Sequence, residues 1–236
     1  MNFSLTEEQR LIVQTANDFV LRELVPHEAE VERTDHLRPQ LRDELKRKAI
    51  DAGLYAANMP AEVGGGGLDT LSWILFEKEL GRTNYALHWT CVARPSNILL
   101  ACTGEQRERY LLAAVRGERS DCLAMSEPDV GSDLRGMKTR ARAEGDYFVI
   151  NGTKHFISHA DEADFVVLFA ATGEESGARG PRALITAFLI DRGTPGFTID
   201  AGYRSVSHRG YRNCILRFDD CRVHRSQILG ELHRGF

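Results

Sequence analysis

The chain predicts an α+β protein, with an all-helical N-terminal domain over residues 1–120 and an antiparallel β-barrel or sandwich domain over 121–236. Three observations predict it. Apolar residues recur at helical spacing in the first half and at strand spacing in the second. Of the 21 glycines, 13 fall after residue 120, where they punctuate short strands. No long helical stretch separates those strands, so a parallel nucleotide-binding sheet is disfavoured and antiparallel closure is preferred.

Thr6 suits a helix N-cap, and Gln9 three places on completes a capping box. Leu11, Ile12, Thr15, Ala16, Phe19 and Val20 carry that helix to about Leu24, and Pro26 discourages continuation. Leu37, Leu41, Leu45 and Ala49 mark a second helix ended by Gly53. Asp69 caps a third through Leu71, Ile74, Leu75 and Leu80, ended by Gly81. A fourth spans about 85–102 with a break at Pro95, and a fifth spans 105–116. Beyond residue 120 the period changes. Residues 138–143 and 147–150 alternate, Asn151-Gly152 reads as a tight turn into 154–158, and 165–170, 183–190, 197–199 and 213–218 read as further strands.

Composition bounds the function. The 236 residues are 42% hydrophobic and 27% charged, enough for a core and unlike a disordered or collagenous chain. A net charge of −4 argues against a broad nucleic-acid-binding face. No apolar run approaches the roughly 18 residues of a membrane span. The five cysteines are odd in number and lack CxxC spacing, so neither disulfides nor a metal site is expected and a reducing compartment fits. The first residues lack a basic n-region and an apolar h-region, which points to a cytoplasmic protein, or to the mitochondrial matrix if the chain is a processed eukaryotic one.

Most chemical motifs fail. The Gly64–Gly67 run lacks the following Gly-Lys-Ser/Thr of a phosphate loop. His155 and His159 lie in strand-like sequence, where four residues span about 13 Å, too far for one metal ion. The segment from Leu123 to Asp133 is different. Gly131 lacks a Cβ, so backbone N–H groups there can approach an anion, and Ser126 and Ser132 add hydroxyl donors. On residue chemistry alone a ligand-binding loop and a plain Asx/Ser turn both remain open.

Several ordered motifs then carry a resemblance. Met125-Ser126-Glu127-Pro128 with Gly131-Ser132-Asp133, and Asn151-Gly152-Thr153-Lys154-His155-Phe156-Ile157-Ser158, resemble the TEP…GSD and NGxKxWI[TS] elements of the acyl-CoA dehydrogenases. The opening Leu5-Thr6-Glu7-Glu8-Gln9, the Gly104-Glu105-Gln106…Tyr110-Leu111 stretch, and Arg217-Phe218-Asp219-Asp220-Cys221-Arg222-Val223 are similar to the family as well. The resemblance covers essentially the whole chain.

It implies FAD held at the face of the β-domain by Leu123, Met125, Ser126, Gly131, Ser132, Phe156 and Ser158, with Ser132 also near the substrate thioester. It implies an acyl-CoA substrate whose α-proton goes to a carboxylate while the β-hydrogen leaves as hydride to flavin N5. An electron-transferring flavoprotein as acceptor and a homodimer or homotetramer are implied too. Three positions depart from the family pattern: Ser126 for Thr, Phe156 for Trp and His224 for Pro. The resemblance puts the catalytic base and a C-terminal helical bundle after the Gly235-Phe236 junction, so no residue of this chain is assigned as the base. Two alternatives keep the fold: a non-catalytic flavin- or acyl-CoA-binding fragment, and a flavin monooxygenase or nitroalkane oxidase.

Overall fold

The structure is a computed structural model that describes residues 4–92, 94–177 and 180–235, with backbone alone at Arg135. The ends of the chain at residues 1–3 and 236, used in reading the opening segment and the terminal junction, lie outside the described residues. Two compact units form. One comprises Met1–Asn97, Leu112–Glu118 and Ser205–Tyr211, and the other Ile98–Leu111, Arg119–Arg204 and Arg212–Phe236.

The first unit is helical. Helix α1 (Glu7–Phe19) starts at the expected capping box, in which Thr6 Oγ1 accepts from Gln9 N–H at 3.1 Å and Thr6 N–H donates to Gln9 Oε1 at 3.1 Å. The chain does not stop at Pro26. It widens into a π-helical turn over Val20–Leu24 and tightens into a 3₁₀ turn over Val25–His27 before α2 (Glu28–Thr34). The wide turn bonds Val25 N–H to Val20 C=O, and Pro26 falls in the first turn of the 3₁₀ stretch, where its missing N–H leaves no donor unpaired.

Helix α3 (Pro39–Asp51) buries Leu41, Leu45 and Ala49 as its spacing predicts. Helix α4 (Thr70–Leu80) is capped by Asp69, which accepts from Leu71 and Ser72 N–H. Its buried face differs from the expected one. Leu71 and Ile74 point outward, while Phe76 and Leu80 enter the core, because α4 is apolar nearly all round and periodicity there does not choose a face. The fourth helix is shorter than expected: α5 (Tyr85–Cys91) ends before Pro95, and a separate 3₁₀ turn covers Asn97–Ala101. Loop Ser205–Tyr211 adds Tyr211 to this core, edge-on to Tyr85 at 4.9 Å, and Asp35 accepts from Gly210 N–H at 2.9 Å.

The second unit is one mixed sheet. Its strands are β1 (Asp121–Ala124), β2 (Arg140–Glu144), β3 (Tyr147–Ser158), β4 (Phe165–Gly177), β5 (Gly180–Asp191), β6 (Phe197–Arg204), β7 (Arg212–His224) and β8 (Ile228–Leu229). The order is β6-β7-β3-β2-β4-β5-β8, with β1 paired to β4. Most pairs are antiparallel, as expected, but β1–β4 and β2–β4 are parallel, so the sheet is mixed. Strands β1 to β7 all send side chains into one core, among them Cys122, Ala141, Ile150, Leu168, Phe188, Phe197 and Leu216.

Asn151-Gly152 is not a turn. Strand β3 continues through it, with a register shift against β7 between Ile150 and Gly152, and the hairpin from β2 closes six residues earlier at Gly145-Asp146, where Gly145 has φ +60°. Gly152 serves close approach instead: a Cβ there would lie 2.5 Å from Thr139 Oγ1.

Candidate functional site

Strand β1 turns Cys122 and Ala124 into the core, and the period-two alternation leaves Leu123 38% exposed on the other face, with half-buried Met125 two residues on. The chain then folds back on itself at Pro128-Asp129. Glu127 N–H donates to Val130 C=O at 2.8 Å and Val130 N–H to Glu127 C=O at 3.2 Å. Gly131 and Ser132 follow, both exposed, and a Cβ on Gly131 would meet no atom within 4 Å, so the backbone there is open to a ligand.

Strand β3 comes alongside this loop, with His155 N–H donating to Ser126 C=O at 2.9 Å. A bulge follows at once. Lys154 pairs with Leu216 and Ile157 with Cys214, so two residues, His155 and Phe156, oppose the single Ile215 of β7. Phe156 takes φ +56°, and the bulge swings its ring outward to 58% exposure. The ring stacks on Tyr203 of β6, and the Tyr203 hydroxyl lies 3.4 Å from His155 Nδ1. Ser158 is half-buried, its Oγ at 3.5 Å from Asn213 Oδ1, a long contact.

The fold thus ties Met125 and Ser126 to Lys154 and His155, the two residues that precede Phe156 on β3. Gly131 and Ser132 lie past the 127–130 turn and have no hydrogen bond to β3 among the described residues.

What fixes the loop is a buried ion pair. The side chains of Lys154 and Glu127 are 0% and 2% exposed. Lys154 Nζ donates to Glu127 Oε1 at 2.9 Å and to Met125 C=O at 3.0 Å. Glu127 Oε1 also accepts from Thr139 N–H at 2.9 Å, and Oε2 from Lys138 N–H at 2.7 Å. Burial alone would raise the Glu127 carboxyl, but the hydrogen bonds it accepts hold it below the usual carboxylate range. Burial pushes the Lys154 ammonium down to about 8, against the pull of Glu127. Near neutral pH both partners are charged. A carboxylate with both oxygens so engaged cannot serve as a proton acceptor.

Two participants carried no expected role, Lys154 and Tyr203. Lys154 had a signal: counting by two from buried Ile150 places residue 154 on the inward side, where a lysine calls for a carboxylate. Tyr203 had none, since β6 was expected to end at residue 199 and instead runs past a register shift between Asp200 and Tyr203.

Residues 6–118 match the acyl-CoA dehydrogenase N-terminal domain and residues 122–221 the acyl-CoA dehydrogenase middle domain. The human mitochondrial short-chain specific acyl-CoA dehydrogenase is 36% identical over 98% of this chain and 55% of its own length. The 3-(aryl)acrylate reductase of Clostridium sporogenes is 33% identical over 98% of this chain and 60% of its own. Among solved structures, glutaryl-CoA dehydrogenase from Mycobacterium smegmatis in complex with FADH2 aligns with a TM-score of 0.81 and 27% identity, covering 96% of this chain and 56% of that one. The chain therefore spans 55–60% of the length of these two curated relatives.

Proposed function

The chain belongs to the acyl-CoA dehydrogenase family, and from that premise we propose that it carries the flavin-holding part of an FAD-dependent oxidoreductase acting on the α,β-bond of an acyl-CoA. The observation that supports this best is the bulge of β3, which turns Phe156 outward directly after His155, the residue that holds the Ser126 carbonyl of the loop. A flat, partly apolar ring with a polar edge suits that surface. Leu123 and Phe156 offer apolar contact, while the Ser126, Ser132 and Ser158 hydroxyls and the open backbone at Gly131 offer donors.

The reading assigns Leu123, Met125, Ser126, Gly131, Ser132, Phe156 and Ser158 to the cofactor, and Ser132 also to the substrate thioester. It takes residues 1–120 as the helical domain and 121–236 as the domain that carries the flavin. Bound FAD would supply the hydride-accepting chemistry at N5. The residues of this chain would orient the ring, exclude water on the Phe156 side, and place neutral donors where negative charge grows on reduction. The proton acceptor is proposed to lie outside these 236 residues, as the family resemblance implies; Glu127 is committed to Lys154, Lys138 and Thr139. The proposal covers either direction of reaction, because hydride transfer at the α,β-bond is reversible and two relatives are named as reductases.

An electron-transferring flavoprotein as electron partner, a homodimer or homotetramer, and a cytoplasmic or mitochondrial-matrix location complete the proposal. No helix among the described residues is long and apolar enough to cross a membrane.

One experiment tests the core of it. The chain is titrated with FAD, and the full reading frame is then mixed anaerobically with saturated acyl-CoAs of graded length. Uptake of FAD and bleaching by at least one thioester are expected. Absence of FAD uptake by both proteins overturns the flavin reading. Uptake by the chain with no bleaching of the full protein favours the second reading, a flavin-binding module without dehydrogenation.

A further inference from the structure

We propose that Lys154 is a positioning residue whose buried ammonium fixes the loop from Met125 to Ser132, and through it the donors that would meet the flavin. The proposal rests on the flavin reading above.

The geometry carries it. A single nitrogen holds two points of the loop, the Met125 carbonyl at 3.0 Å and the Glu127 carboxylate at 2.9 Å. Glu127 in turn ties the loop to the start of β2 through the Lys138 and Thr139 amides, and its own backbone closes the turn with Val130. Between these two anchors stands Ser126, whose carbonyl is held by His155 N–H, the residue next to Lys154. Residues 125, 126, 127 and 130 are therefore each bonded to β3 or across the turn, while Gly131 and Ser132 follow from a fixed end.

Two buried charges must first be desolvated, so the ion pair itself adds little net cohesion over an apolar pair of similar volume, although that pair would leave the Lys138 and Thr139 amides and the Met125 carbonyl without these partners. Such a pair would not grip a carbonyl and a carboxylate at set distances. Position, not cohesion, is what the charges add here. The surroundings are simple. Glu127 faces Lys154 from the loop, β7 places Leu216 opposite it in register, and the Lys138 ammonium is paired at the surface with Asp129 at 2.7 Å.

The test compares the wild-type chain with the neutral double variant Lys154→Met/Glu127→Gln and with Lys154→Arg. Three quantities are read: amide hydrogen exchange at residues 126–132, FAD affinity, and the visible spectrum of the bound flavin. The double variant is expected to melt near the wild type, yet to exchange its loop amides and release FAD about tenfold more readily, the factor one charge-assisted hydrogen bond is worth. Its flavin spectrum shifts, and Lys154→Arg recovers part of each effect. Wild-type exchange, affinity and spectrum in the double variant would overturn the proposal. If the double variant does not fold, Glu127→Asp, which keeps the charge and shortens its reach, is read the same way. If the wild type takes up no FAD, the flavin reading fails by itself, and loop exchange alone decides whether Lys154 positions the loop.

Discussion

The Phe156 ring stacks on the Tyr203 ring, with centroids 5.0 Å apart and planes 26° from parallel. The arrangement is costly. Phe156 sits at φ +56°, a left-handed backbone conformation that costs a side-chain-bearing residue roughly 1–2 kcal/mol. The residue is also more than half exposed, where its apolar area contributes little. A ring held in strain and left exposed does not serve the core, and it fits the proposed flavin contact.

Phe156→Gly separates the two explanations. Glycine relieves the left-handed strain, which offsets the lost stacking of about 0.5–1.5 kcal/mol and the added chain entropy of about 0.5–1 kcal/mol. Urea denaturation should therefore move by no more than about 1 kcal/mol. Flavin affinity, followed by fluorescence quenching, should fall about tenfold or more, the loss of one good aromatic contact. A collapse of stability with unchanged flavin affinity would make Phe156 a packing residue.

The glycines of the β2–β3 region give a second prediction. At Gly152, φ is +151° and a new Cβ would lie 2.5 Å from Thr139 Oγ1 and 2.7 Å from Thr139 Cα, with no room to yield. Gly152→Ala should cost roughly 2–3 kcal/mol in urea denaturation. At Gly145, φ is +60° and nothing lies within 4 Å of a new Cβ. Gly145→Asn should cost less than about 1 kcal/mol, because asparagine tolerates that conformation. Equal costs at the two sites would contradict the hairpin at 145–146.

The same glycines show where sequence stops being legible. Asn-Gly marks a turn when its glycine needs a left-handed backbone, but a glycine also marks where two strands touch too closely for a Cβ, and the letters do not distinguish the cases. The Thr6–Gln9 box and the Asp69 cap were legible because both partners lie within three residues of each other. Ordered motifs single out Ser126, Gly131 and Phe156 as candidates, but the outward turn of Phe156 comes from the bulge of β3, which no local spacing announces. Tyr203 reaches Phe156 across 47 residues and a register shift, and the parallel pairing of β1 with β4 depends on the path between them. Neither leaves a local trace. Lys154 was half legible: alternation places it inside, but its partner lies 27 residues away.

All five cysteines are buried thiols outside any disulfide. Burial raises the Cys102 and Cys221 thiols to about 11, the Cys214 thiol to about 12 and the Cys122 thiol well above its usual range. At pH 8, a thiol of pKa 11 is only about one part in a thousand thiolate, the reactive form. A thiol reagent should leave the folded chain essentially unlabelled while modifying all five cysteines in denaturant, as intact mass will show. Rapid labelling of one cysteine under native conditions would mean that its surroundings open.

His88 gives the pH prediction. Its ring is buried, edge-on to Tyr85 at 5.1 Å, and burial lowers it to about 4, with Arg94 and His208 adding to the effect. The unfolded chain protonates this histidine near pH 6.5, so between about pH 4 and 6.5 the unfolded state binds more protons than the folded one. Stability from this group is complete above about pH 6.5 and is lost as the pH falls through that window, by up to roughly 3 kcal/mol. Glu77 runs the other way, since burial holds its carboxyl above the usual range despite Arg94. Comparing wild type with His88→Gln cancels that opposing contribution. The variant should lose stability less steeply on acidification, by up to one proton, in urea denaturations at about pH 7 and about pH 4.5. An unchanged slope would show that His88 titrates alike in both states, and its burial would then carry no acid sensitivity.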